Sequence, residues 1–98
     1  MSSLFRPQAL DDLRTLLERI ATESPQAALR LRDRILETCT LLGDNPAIAA
    51  ELEGLSATGV RRFPVKHYPR YSFFYQINNE RVEIIRLGYG GRDWEHTI

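Results

Sequence analysis

The sequence predicts an α+β domain in which a short N-terminal strand and a helical hairpin pack on a C-terminal antiparallel β-sheet. In the first half, apolar residues recur three or four positions apart, as on one face of a helix. In the second half they alternate, as in strands, and turn-forming residues separate the runs. Helices first and strands afterwards are typical of the α+β class. With 98 residues, we expect a single domain over residues 1–98.

The first elements follow from spacing and from proline positions. Leu4-Phe5 is predicted to form a short strand that Arg6-Pro7 ends. Asp11 and Asp12 lie off the apolar stripe of the first helix, in the first turns, where the helix dipole favours negative charge. The stripe of that helix comprises Leu10, Leu13, Leu16, Leu17 and Ile20.

A break of about four residues, including Ser24 as N-cap and Pro25 at the first helical position, is predicted to start a second helix. Gly43 is the expected C-cap. Cys39 lies on the apolar stripe and is interpreted as a small buried hydrophobe. The stripe comprises Ala28, Leu31, Ile35, Thr38, Cys39 and Leu42. A connection over residues 44–59 follows, with one helical turn expected around residues 47–52.

Three strands are predicted after this connection. The first covers residues 60–67, where Pro64 indicates an edge or bulged position. The second alternates, and Asn78-Asn79 supplies a tight turn to the third, residues 81–88. One face of the alternating strand carries Tyr71, Phe73, Tyr75 and Ile77, and the other Ser72, Phe74 and Gln76.

Composition narrows the classes of function. The net charge is zero, but residues 1–58 hold six basic and nine acidic residues, whereas residues 59–98 hold seven basic and four acidic. A neutral chain argues against strong non-specific nucleic-acid binding, while the basic half suits an anionic partner. One cysteine excludes an internal disulfide, and His67 and His96 lack ligand spacing, so no metal or cofactor is expected. Without an apolar run of membrane-spanning or signal-peptide type, we expect a cytoplasmic protein with no membrane contact.

Catalytic signatures are weak. Gly88, Gly90 and Gly91 do not form a dinucleotide fingerprint, and a flexible exit from the last strand is favoured over a phosphate cradle. No nucleophile motif is recognisable.

In the second half of the chain, where the strands are predicted, basic residues are interleaved with aromatic residues, and this is the clearest indication of a binding surface. Such a surface holds RNA by phosphate contacts and stacking, docks an acidic peptide, or is simply a solvated charged face. Tyr68, Tyr71 and Tyr75 are among the interleaved aromatics. The candidate partner-binding residues are Arg61, Arg62, Lys66, Arg70, Arg86, Tyr89, Arg92 and Trp94.

The order of these motifs resembles the ParE branch of the RelE/ParE family of type II toxin–antitoxin toxins. The resemblance spans nearly the whole chain and is most specific in the stretch GVRRFPVKHYPRYSFFYQINNERVEIIRLGYGGRD. Its motifs here are Gly59-Val60-Arg61, Phe63-Pro64-Val65, Tyr71 with Phe73 and Tyr75, Val82 with Ile84 and Arg86, and Gly91-Arg92-Asp93.

The resemblance implies the fold described above and a cognate antitoxin whose C-terminal segment wraps the toxin. It also implies a choice of target, because RelE-like members cut messenger RNA in the ribosome and ParE-like members block DNA gyrase. Ser72 replaces an arginine of the RelE-like set, and no tyrosine follows Arg92. Phe63 and Val65 fall where that set has lysines.

We therefore expect a non-enzymatic gyrase inhibitor. A ribosome-dependent ribonuclease and a non-toxic antitoxin-binding module remain alternatives. If the chain is RelE-like, the catalytic candidates are Arg92, Arg62, Lys66 and Tyr89.

Overall fold

In the computed structural model, which describes residues 2–52 and 59–89, two helices pack on a four-stranded sheet. The sheet order is β1-β4-β3-β2, with β1 parallel to β4 and the other two pairings antiparallel. The predicted α+β architecture is thereby confirmed. The elements are β1 (Ser2–Phe5), α1 (Pro7–Glu23), α2 (Pro25–Asp44), β2 (Arg61–Val65), β3 (Tyr68–Asn78) and β4 (Arg81–Tyr89).

The helical hairpin turns on a single residue, where the sequence had predicted a break of about four. Ser24 is extended, with φ −154°, and its amide donates to the Ile20 carbonyl at 2.9 Å. Its Oγ accepts from the Ala27 amide at 3.2 Å, which confirms the predicted N-cap. One residue therefore ends α1 and begins α2.

The buried faces of the two helices were predicted with unequal success. All six residues of the predicted α2 stripe are buried. On α1 the core begins at Ala9, which is fully buried, while Leu10 is 45% exposed, so Leu10 was wrongly placed on the stripe. The face actually runs from Ala9 through Leu13 and Leu16, because one residue rotates a helix by about 100°.

Cys39 is buried as expected, and burial raises the pKa of its thiol to about 12.

The connection after α2 differs from the prediction. Gly43 is buried inside α2, which continues to Asp44 and is capped by Asn45. Residues 45–52 form turns and bends and no helical turn. Three hydrogen bonds join this segment to residues 60–75: the Tyr75 hydroxyl donates to the Pro46 carbonyl at 2.8 Å, the Leu52 amide donates to the Val60 carbonyl at 2.7 Å, and Arg61 donates to the Ala49 carbonyl. Its backbone is thus fixed to the sheet without helical bonds.

Two turns set the strand limits. β2 ends at Val65, and the chain then turns at His67, which has a φ of 67°. The pairing register of β2 with β3 shifts beside Pro64, as predicted for a bulged edge strand. The β3–β4 turn is formed by Asn79 and Glu80, with φ of 51° and 60°, one residue later than expected. Positive φ at both central residues is typical of a type I′ hairpin turn.

A bulge in β4 decides which residues face each other across the hairpin. Tyr75 pairs with Ile84, but Phe74 pairs with Arg86, so Ile85 is the extra residue. Beyond it, the register places Tyr71 opposite Tyr89.

Both faces of β3 are buried in its centre. Phe73 and Tyr75 pack into the core beneath the helices, as the alternation predicted. Ser72 and Phe74, on the alternate face, are only 1% exposed. The central part of β3 is therefore covered on both sides.

Candidate functional site

The free edge of β4 is closed by a side chain of α1. β1 accompanies β4 only as far as Ile84. Beyond that point, Asp12 Oδ2 accepts a hydrogen bond from the Leu87 amide at 3.0 Å. The same carboxylate accepts hydrogen bonds from Arg86 Nε at 2.8 Å and from Arg86 Nη2 at 3.0 Å. We call this arrangement the Asp12–Arg86 junction; it joins α1 to β4 where strand pairing stops.

Two residues of the junction have roles that differ from those predicted from the sequence. Asp12 was assigned to the helix dipole, yet it lies in the second turn of α1 and satisfies a strand amide. Arg86 was a candidate for partner binding, yet its guanidinium is engaged in a bidentate pair and its side chain is 29% exposed. The hydrogen bond to Asp12 raises the pKa of Arg86.

Two more predicted cations are engaged by carboxylates of this chain. Arg61 donates to the Ala49 carbonyl and lies 3.7 Å from Glu51. Lys66 Nζ lies 3.9 Å from Glu37 of α2. The Arg61 contacts join β2 to the segment after α2, and the Lys66 contact joins the turn after β2 to α2 at the surface.

Arg62 and Arg70 differ, because no carboxylate of the described part forms an ion pair with either. Arg62 is half-buried beside Phe74, and its Nε is buried without a hydrogen-bond partner in residues 2–52 and 59–89. Arg70 is exposed, with Nη1 3.5 Å from the Tyr89 hydroxyl. That contact raises the pKa of Arg70, and most of its guanidinium donors have no hydrogen-bond acceptor in residues 2–52 and 59–89.

The exposed end of the β3–β4 hairpin carries an aromatic pair. The rings of Tyr71 and Tyr89 lie 4.9 Å apart at 49°, and Tyr89 is 59% exposed. We define the tyrosine corner as Thr15, Arg19, Arg70, Tyr71 and Tyr89. Arg19 of α1 was missed by the sequence analysis because nothing in a helix pattern shows that it meets the hairpin.

Two recesses share the tyrosine pair as a wall. One, of about 190 Å³, lies against α1 and contains Arg19. The other, of about 330 Å³, contains Arg70 and His67. The first is lined by Asp12, Thr15, Leu16, Arg19, Tyr71, Leu87, Gly88 and Tyr89. The second is lined by His67, Tyr68, Pro69, Arg70, Tyr71 and Tyr89.

Some of the candidate residues lie outside this corner or outside the described part. Neither recess includes Arg62 or Lys66. Gly88 lies within β4, opposite Ser72, rather than after the strand. Gly90, Gly91, Arg92, Trp94 and His96 lie outside the described residues.

Three comparisons place the chain among known proteins. The family model for the ParE toxin of the type II toxin–antitoxin system parDE matches residues 4–94. A solved chain described as the chromosomal ParDE TA system from P. aeruginosa is similar, with a TM-score of 0.76 and 20% identity, covering 93% of this chain and 97% of that one. The isolated E. coli RelE toxin is also similar, with a TM-score of 0.57 and 19% identity over 98% of this chain and 90% of that one. At these identities the two structures show a common fold alone.

No curated protein matches the sequence. In residues 2–52 and 59–89, neither helix is long and apolar enough to cross a membrane.

Proposed function

This chain belongs to the ParE family of toxins of type II toxin–antitoxin systems, and we propose that it acts in the cytoplasm by inhibiting DNA gyrase until a cognate antitoxin binds it. The proposal describes a toxin that binds its target and does not cleave RNA. Its partners are two macromolecules, gyrase and the antitoxin.

One observation carries the choice of target: positions that a RelE-like ribonuclease needs for phosphate contact are occupied here by uncharged side chains that are buried or partly buried. Ser72, in place of an arginine, is 1% exposed. Val65 is 1% exposed, and Phe63 packs against the core. Losing charge stabilisation in the transition state and a proton-transfer group each costs orders of magnitude in rate. These positions support binding as the mechanism.

The arrangement of charges supports an antitoxin as the second partner. The described cations without a carboxylate partner include Arg62 and Arg70 of the sheet, and Arg19 of α1, which lines the recess beside Tyr71 and Tyr89. Such cations suit an acidic segment that orders on the surface, since apolar burial then offsets the ordering cost.

A supercoiling assay with purified gyrase and purified toxin tests the target. In this family we expect the antitoxin to be encoded immediately upstream of the toxin. We expect supercoiling to fall with increasing toxin and to recover when this upstream protein is added first. Normal supercoiling at a large excess of free toxin would contradict the proposal.

The same preparation distinguishes the alternatives. Cuts in translated messenger RNA that Arg92→Ala weakens would indicate the ribosome-dependent ribonuclease. Unchanged growth on expression without the upstream protein would indicate a module that binds antitoxin and has no toxicity.

A further inference from the structure

The tyrosine corner combines apolar walls with cations that have no carboxylate partner. The Tyr71 and Tyr89 rings form one wall of the recess against α1, and Leu16 and Leu87, each 7% exposed, contribute apolar surface. Neither Arg19 nor Arg70 forms an ion pair within the described residues, and each lines one of the two recesses. A partner segment can therefore bury an apolar group in the recess against α1, which Arg19 lines, while Arg70 lines the second recess beside the same tyrosine pair.

The one acidic residue of the α1 recess does not oppose an anionic partner strongly. Both oxygens of Asp12 are engaged by Arg86 and by the Leu87 amide. Its charge is thereby compensated within the junction. Among the described residues, the unbalanced charge at the corner is positive.

The size of the recess against α1 favours a side chain over a small-molecule substrate as its occupant. About 190 Å³ is below the range of roughly 300–1,000 Å³ typical of small-molecule sites, and both recesses open to the surface. One apolar or aromatic side chain fits such a space, and the exposed rim suits a polar contact.

A peptide is also favoured over RNA. Nucleic-acid affinity depends on several phosphate contacts, and among the described residues the corner offers only Arg19 and Arg70 as cations without an ion pair. Bases stack on free aromatic faces, whereas Tyr71 and Tyr89 pack against each other at 4.9 Å.

We propose that the tyrosine corner receives an acidic segment of the antitoxin, with one apolar or aromatic side chain in the recess against α1 and flanking carboxylates paired with Arg19 and Arg70. This inference rests on the antitoxin partnership proposed above. It adds the binding position and the chemistry of the segment. Tyr89 supplies the buried contact surface, and the two arginines select for negative charge.

The test uses synthetic peptides of about 15 residues that cover the C-terminal half of the protein encoded immediately upstream. Their affinity for the full chain is measured by titration calorimetry. Each peptide is paired with a version in which every Asp and Glu is replaced by Asn or Gln. We expect one acidic peptide to bind, and Tyr89→Ala, Arg19→Gln and Arg70→Gln each to weaken it about tenfold.

Matched variants separate the corner from general surface effects. Arg30 is an exposed α2 arginine that, like Arg19, has no ion pair in the described part, and Leu36 is 51% exposed on the same helix. Arg30→Gln and Leu36→Ala are expected to leave the affinity unchanged. The neutralised peptide is expected to bind weakly and no longer to distinguish Arg19→Gln and Arg70→Gln from the unmodified chain.

The outcomes are distinguishable. If the intact upstream protein does not bind the chain, the antitoxin proposal fails and this inference with it. If it binds but the three corner variants bind the peptides as well as the unmodified chain does, this inference is overturned and the antitoxin proposal stands. Corner-dependent binding of a uridine oligonucleotide in place of the acidic peptides would also overturn it.

Discussion

Two regions of β4 lie two residues apart and differ in whether their side chains are engaged within the chain or exposed. At the Asp12–Arg86 junction, both carboxylate oxygens and the guanidinium are engaged, and the arginine side chain is 29% exposed. At the tyrosine corner, Tyr89 is 59% exposed and Arg70 has no carboxylate partner in the described part. The difference shows that an arginine of this sheet is structural or available according to whether an acid of the same chain reaches it.

The junction should be the more costly region to disturb. Asp12→Ala removes the acceptor for Arg86 and for the Leu87 amide, leaving a largely covered charge and a strand amide without their partner. We expect the free energy of unfolding to fall by about 2–3 kcal/mol, measured by urea denaturation. The matched control is Asp11→Ala, because Asp11 is 73% exposed and pairs with Arg14 only at the surface. The control is expected to change stability by no more than about 0.5 kcal/mol, and equal losses would contradict the contrast.

The two tyrosines of the corner should differ in how much each contributes to the free energy of unfolding, measured by the same urea denaturation. Tyr71 packs against the core cluster, whereas Tyr89 is mostly exposed. Tyr71→Ala is expected to lower the free energy of unfolding by about 1.5–2.5 kcal/mol, and Tyr89→Ala by less than about 1 kcal/mol. A larger loss for Tyr89 would mean that its role is structural.

Another paired arginine, Arg6, permits a pH test of the comparison. The hydrogen bond from Arg6 lowers the pKa of Glu83, and the two side chains meet at 2.8 Å. A carboxyl with a lowered folded-state pKa stabilises the fold above its unfolded value, and this contribution disappears as the pH falls through the folded value. We expect the melting temperature to fall between about pH 5 and pH 3, and to fall less in Glu83→Gln. Parallel curves would show that this pair contributes nothing.

The sequence supported the fold well because much of it is periodic. The α2 stripe and the β3 alternation follow from side-chain spacing alone. Ala9 was overlooked in favour of Leu10 because alanine gives a weak apolar signal, and a one-residue shift turns the helix face.

The site was less accessible to sequence reasoning. Arg86 and Asp12 are 74 residues apart, and no local pattern joins them. The pairing of Tyr71 with Tyr89 depends on the extra residue Ile85, since an unbulged hairpin would place Gly88 opposite Tyr71. Single residues thus decide which charged and aromatic groups meet.

The most direct test compares Arg86→Gln with Arg70→Gln in one experiment that measures urea unfolding and calorimetric binding of the acidic upstream peptide. We expect Arg86→Gln to lower the free energy of unfolding and to retain peptide affinity in its folded fraction. We expect Arg70→Gln to retain stability and to lose about tenfold in affinity. The reverse pattern, or equal losses of stability and affinity in both variants, would contradict the division between structural and partner-binding arginines.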